Sequence, residues 1–174
     1  MKTAYEVLKE SDRISREVIA AKVDGEVIDL SREVEDGADV QPLTFEDAEG
    51  KRVFWHTASH ILAQAVKRLY PETKLAIGPA IKDGFYYDFD REQPFTDDEL
   101  AHVEAEMKKI VKENLRMERF TLPRAEANAL MQEKGEPYKV ELIRDLPEDE
   151  ELSFFRQGDF VDLCAGPHVC YTSA

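Results

Sequence analysis

The stretch Arg52-Val53-Phe54-Trp55-His56-Thr57-Ala58-Ser59-His60-Ile61-Leu62-Ala63-Gln64-Ala65-Val66-Lys67-Arg68-Leu69 decides how the rest of the chain is read. It holds no glycine or proline, and Pro71 follows two residues later, where it stops a helix. At about 100° per residue, Phe54, Ala58, Ile61, Leu62, Ala65 and Leu69 gather on one side, and His56, His60 and Lys67 lie nearly opposite. The stretch therefore predicts an amphipathic helix whose two histidines stand one turn apart. Residues four apart on a helix have β-carbons about 6 Å apart, so two imidazoles can share a metal or a substrate. Because the pair avoids the apolar stripe, a satisfied core pair is disfavoured, and a pair on a solvated face is the bland alternative.

Upstream, Thr3 suits the cap of a short helix from Ala4 to about Lys9. Strands are expected over Val18–Val23, Glu26–Leu30 and Val40–Phe45, the first two joined by an Asp24-Gly25 hairpin turn. The polar run 46–50 is apt for a linker, and a domain boundary is placed there. Downstream, Thr73–Ile77 and Phe85–Phe89 read as strands, with Gly78-Pro79 and Asp83-Gly84 as turns. Thr96-Asp97-Asp98-Glu99 is a capping box opening a helix to about Met117, with Leu100, Val103, Met107, Ile110 and Val111 as its buried stripe. Pro123 fits the first turn of another helix, which Gly135 ends. Tyr138–Ile143 and Phe160–Leu163 are the last strands expected. The fold class is α+β, with helices packed on an antiparallel or mixed sheet.

The 174 residues suit one ordinary domain, or a small one joined to a medium one, and 43% hydrophobic content supports a core. No apolar run approaches the roughly 20 residues that span a bilayer, and the first residues lack a signal peptide's apolar stretch, so a cytoplasmic protein without a membrane partner is expected. Two cysteines are too few for a disulfide framework. A formal net charge of −14 argues against tight non-specific binding to nucleic acid. An RNA substrate would have to be touched over a small area only.

A second motif follows the strand Phe160–Leu163. Cys164-Ala165-Gly166-Pro167-His168 carries two ligand-type side chains around a Gly-Pro turn, so both can converge from one loop. Cys164 with His56, His60 and His168 is a zinc-like set. A metal-free site, with histidines moving protons and positioning water, is also consistent with these residues. Lys139 and Asp162, taken as residues, read as ordinary strand charges. His102 reads as a solvated helix residue, and Cys170 has no assignable partner.

His56-Thr57-Ala58-Ser59-His60 resembles the HxxxH of the editing domain shared by threonyl- and alanyl-tRNA synthetases, and Cys164 to Val169 resembles its CxxxH in the Gly-Pro-His form typical of threonyl enzymes. Ala76-Ile77-Gly78-Pro79, Asp83-Gly84-Phe85-Tyr86-Tyr87-Asp88 and Gly135-Glu136-Pro137-Tyr138-Lys139 resemble further threonyl-type segments of that domain. Residues 1–49 resemble the later part of a TGS domain, a truncated β-grasp-like module, and 50–174 the editing domain, cut short after CxxxH. The resemblance implies a hydrolase for serine wrongly esterified to threonine tRNA, with the acceptor end of that tRNA as partner. It places His56, His60, Lys139, Asp162, Cys164 and His168 at the site. Editing is expected to require no cofactor. Zinc at His56, His60, Cys164 and His168 is compatible, with weak or no binding expected, and ATP and a further zinc belong to a class II core absent from this stretch. Aminoacylation by these residues alone is not expected. Full-length relatives imply a homodimer, and this stretch alone a monomer. A non-catalytic acceptor-end binding module and a metal-dependent small-ester hydrolase are the competing readings.

Overall fold

The computed structural model describes residues 1–76, 80–81, 84–85, 87–146, 152–164 and 166–172. The chain is α+β, as its sequence implies. Strand β1 (Lys2–Thr3) leads into helix α1 (Ala4–Glu10), where the Thr3 hydroxyl accepts from the Glu6 amide at 3.2 Å and satisfies one of the helix's orphan donors. Strands β2 (Val18–Val23) and β3 (Glu26–Ile28) form the expected hairpin, with Asp24 and Gly25 at φ 51° and 83°. Short β4 (Glu33–Val34) pairs with β1, and β5 (Val40–Thr44) closes an antiparallel sheet in the order β3-β2-β5. One face of this sheet packs Ala21, Ile28 and Val40 against Ala4 and Leu8 of α1.

Helix α2 (Ala48–Leu69) begins four residues earlier than expected and takes in most of the anticipated linker. The reason is local. The Asp47 carboxylate turns back to accept from the Thr44 amide at 2.8 Å, and the Asp47 carbonyl accepts from Lys51 at 2.8 Å. Gly50 completes the arrangement, because any β-carbon there would run into the Thr44 carbonyl. Helix α2 thus leaves β5 with no slack, and Val53 packs beside Ile19, Ala20 and Leu43.

Between α2 and the next helix the strands are shorter than expected. Strand β6 (Lys74–Leu75) pairs with β9 (Phe89–Asp90), and β7 (Ala80–Ile81) with β8 (Gly84–Phe85). Ile77, Gly78, Pro79, Asp83 and Tyr86 of the expected strands and turns lie outside the described residues. Helix α3 (Asp97–Glu113) has its full capping box and ends one turn before Met117, at Asn114 with φ 52°. It packs on α2 through Val103, Met107 and Ile110, while Leu100 and Val111 of the expected stripe are 51% and 39% exposed. A helix resting on one other helix buries a narrow seam, and these two residues flank it.

The last sheet has the antiparallel order β10 (Glu118–Leu122), β11 (Leu152–Gln157), β12 (Phe160–Leu163). Helices α4 (Arg124–Glu133) and α5 (Pro137–Asp145) cover it, with Ala127, Met131 and Ile143 against Leu152 and Phe154. The strand expected over Tyr138–Ile143 is helix α5. Pro137 sits at its first turn, where a missing N–H costs nothing, and Lys139 and Ile143, four apart, are its buried side. Among the described residues no helix is long and apolar enough to cross a membrane.

Candidate active site

Helix α2 is covered on two sides. Its Ile61, Ala65 and Val66 side meets α3, and the histidine side meets β11 and β12. His60 is therefore 3% exposed, which corrects the expectation that the pair avoids the interior. The side opposite the apolar stripe carries polar residues because polar partners face it. Gln157 donates to the His60 carbonyl at 3.3 Å and to Gln64 at 2.7 Å, and Gln64 returns a bond to the Gln157 carbonyl at 3.1 Å. His56, one turn nearer the start of α2, is partly exposed.

The end of β12 delivers the second motif. The Cys164 amide donates to the Ser153 carbonyl at 3.0 Å and the Ser153 hydroxyl to the Cys164 carbonyl at 2.6 Å, which pins the loop's first residue to β11. At Gly166, φ is +77° and a β-carbon would lie 2.8 Å from the Phe155 ring, so only glycine fits. The loop brings the Cys164 sulfur to 3.2 Å from His56 Nε2 and 3.3 Å from His168 Nε2. The His168 ring stacks on His56 with centroids 4.3 Å apart and meets Phe155 edge-on at 4.4 Å. Its Nδ1 lies 2.8 Å from the Thr57 hydroxyl, which itself accepts from the Val169 amide at 3.2 Å. Thr57 thus ties the His168 ring and the Val169 amide to α2 through one hydroxyl.

Burial sets the ionisation here. It lowers His60 to about 3 and His168 well below the ordinary imidazole value, and it is the first cause of the downward shift at His56. It pushes the Cys164 thiol up to about 12. The protein alone thus presents three neutral imidazoles and a protonated thiol at neutral pH.

Lys139 and Asp162 are 4% and 2% exposed, not the solvated strand charges that residue types alone suggest. The Lys139 ammonium, carried by α5, lies 3.0 Å from Asp162 Oδ1. The Tyr87 hydroxyl donates to Asp162 Oδ2 at 2.9 Å, and His60 Nε2 is 3.8 Å from the same oxygen. Burial, then Asp162, drives the Tyr87 hydroxyl's pKa upward. All six residues singled out in the sequence thus meet in one place. Thr57, Tyr87 and Gln157 join them with no signal of their own in the sequence, although Thr57 and Tyr87 lie inside the quoted motifs. His102 is exposed, and Cys170 packs partly buried against the α1 core as a free thiol.

The donor atoms of His56, His60, Cys164 and His168 all lie within 4.8 Å of one another. This group could hold a metal ion, and neutral imidazoles with one cysteine are a donor set suited to zinc. A cleft of about 390 Å³, lined by Arg52, Val53, His56, Gly166 and Pro167 among others, reaches His56.

No family model matches the chain. Similarity to curated proteins is extensive. The chain is 56% identical over 168 residues to a threonine–tRNA ligase of Caldanaerobacter subterraneus subsp. tengcongensis, covering 96% of the chain and 26% of that protein. It is 58% identical over 168 residues to the threonine–tRNA ligase of Carboxydothermus hydrogenoformans, with the same coverage. To that of Acetivibrio thermocellus it is 62% identical over 156 residues, 90% of the chain and 25% of the relative. The chain spans about a quarter of the length of these relatives.

Proposed function

We propose, for a chain that belongs to the threonine–tRNA ligase family and spans about a quarter of its members' length, that it hydrolyses the ester of serine wrongly attached to threonine tRNA. The observation that carries this reading is the convergence of neutral His56, His60 and His168 with Cys164 beside a buried Lys139–Asp162 pair. The division into a TGS-like module over 1–49 and an editing domain over 50–174 belongs to the same proposal, as do a cytoplasmic setting and the tRNA acceptor end as partner.

Serine is threonine less one methyl, and a missing methyl discriminates by only about 1–3 kcal/mol. A synthesis site therefore makes errors that a second, smaller site must remove. Ester hydrolysis needs an activated water, stabilisation of the developing oxyanion and a proton for the departing ribose oxygen. His56, partly exposed and lining the cleft, is placed to accept a proton from water, and its lowered pKa keeps it neutral and able to do so. Lys139 supplies a buried cation for the ribose or the leaving oxygen. Asp162 holds that cation and, through Oδ2, the Tyr87 hydroxyl beside His60, so its role is to orient. His60 and His168 shape the pocket and its proton inventory. Cys164 acts as a neutral hydrogen-bonding group, since a thiol held up near 12 is a poor nucleophile. Zinc held by His56, His60, Cys164 and His168 would supply Lewis-acid polarisation of an oxygen. The hydrolysis proposed here uses the side chains and requires no metal.

The test is to mix the chain with threonine tRNA carrying serine and, separately, threonine, and to follow loss of each ester. Faster loss of serine, reduced in His56→Ala, is expected. Binding without turnover would favour an acceptor-end binding module, and cleavage of small esters regardless of the tRNA would favour a simple hydrolase.

A further inference from the structure

Asp29 lies in the amino-terminal sheet region, just after β3, and is 139 positions from His168 in sequence. Its side chain is 6% exposed, and Oδ1 accepts a short hydrogen bond from the His168 backbone amide. The next amide, of Val169, is held by Thr57 of α2. Two consecutive amides of the loop are thus fixed from opposite sides, one by the amino-terminal region and one by the histidine helix. Gly166 lets the loop pass between: the β-carbon it lacks would lie 4.0 Å from Asp29 Oδ2 and would collide with Phe155. Val169 then packs with Ile19, Ala20 and Leu43 of the amino-terminal sheet. A buried carboxylate needs donors, and one aimed at a single amide of a loop carrying two site side chains sets that loop's height over α2.

We propose that Asp29 is a positioning residue for the Cys164–His168 loop, so that the hydrolytic site is completed by the first 49 residues. This rests on the editing reading above. Asp29 touches no reacting atom. It acts through the His168 backbone, which fixes the imidazole that Thr57 and Cys164 contact. Loss of the acceptor leaves the loop free to lift, and a displacement near 1 Å at a reacting group costs on the order of a hundredfold in rate.

The experiment compares the whole chain with Asp29→Ala and Asp29→Asn, reading serine release from threonine tRNA together with the imidazole NMR resonances of its four histidines. Asp29→Ala is expected to lower kcat by about a hundredfold with KM within about twofold, and to move the His168 and His56 ring resonances. Asp29→Asn keeps an acceptor oxygen and is expected to restore both. Hydrogen exchange of the His168 amide in the unaltered chain adds a readout that survives an Asp29→Ala protein that does not fold. Slow exchange is expected, and exchange as fast as an exposed loop overturns the proposal. Unmoved rings and unchanged kcat in Asp29→Ala overturn it too. If the unaltered chain releases no serine, the editing reading fails, and the ring resonances and amide exchange still decide the role of Asp29.

Discussion

Two lysine–carboxylate pairs lie against α2, one buried on both sides and one with a partly exposed lysine, and they are finished differently. Lys67 lies 2.7 Å from Glu136 Oε1 and also donates to the carbonyls of Pro71 and Thr73, both at 3.0 Å. Glu136 Oε2 accepts from the Leu75 amide at 2.9 Å. The Lys67 ammonium is thus enclosed by two hydrogen-bonded carbonyls and an ion-paired carboxylate, a closed arrangement. Lys139 lies 3.0 Å from Asp162 and over the Tyr87 ring at 5.4 Å, and among the described residues its ammonium makes no other polar contact. Both pairs bear the desolvation cost of burial. The closed one ties β6 and the start of α5 to α2. The open one keeps hydrogen-bonding capacity beside three neutral histidines. Unspent capacity in a dry place is what the proposed substrate site requires, and the arrangement around Lys67 has little of it.

The hardest way to break this contrast is to remove each cation. Lys139→Met is expected to lower serine release by about a thousandfold in protein that still folds. Lys67→Met should leave the rate of the folded fraction within a few-fold and lower stability by about 2–3 kcal/mol. That is less than the 3–5 typical of a fully buried pair, because the Lys67 side chain is 22% exposed. Denaturant melts with deacylation assays separate the two, and equal rate losses would erase the distinction.

Acid offers a gentler probe. The site histidines have pKa values below their unfolded value near 6.5, His60 at about 3, so the unfolded chain binds more protons. Their contribution to stability is complete above pH 6.5 and is lost as pH falls toward about 3. Between pH 7 and 5 two such histidines should lower the Tm by roughly 10 °C on this account. The slope should persist in Lys67→Met and shrink in His60→Leu. A Tm independent of pH over that range would contradict neutral, buried imidazoles.

The smallest expected effect sharpens the picture of Asp162. Tyr87→Phe removes one hydrogen bond to that carboxylate and leaves Lys139 in place. A loss of about 1 kcal/mol in stability and a few-fold in rate is expected, by melt and by assay. A loss as large as that of Lys139→Met would make the tyrosine hydroxyl a participant in its own right.

The legible parts of the molecule are those governed by local rules. The Asp24-Gly25 turn, the Thr96 capping box and the Thr3 cap each depend on residues within four positions, and all stand where the sequence puts them. The histidine and Cys-His motifs were legible as residue types at fixed spacing. Strand β11 and the helical state of Pro137–Asp145 were not, because each is decided by what packs on it: α5 turns Ile143 onto Leu152 and Phe154, and local preference yields. Burial of His60, Lys139 and Asp162 was invisible for the same reason. It depends on β11 and β12 closing over a helix about a hundred positions earlier. Asp29 gave no signal at all, since an aspartate after a short strand is unremarkable until a distant amide is found against it.

The junction at Gly50 bears on how lengths can vary among relatives. A helix that starts hard against the Thr44 carbonyl has no spare chain in which to absorb an added residue. One insertion between Thr44 and Gly50, carried into α2, would turn the histidine pair about 100° around the helix axis, away from the loop that must meet it. Gaps in alignments of related chains should therefore fall outside this turn, which makes it a fixed landmark for placing the histidine helix in sequences that share little else.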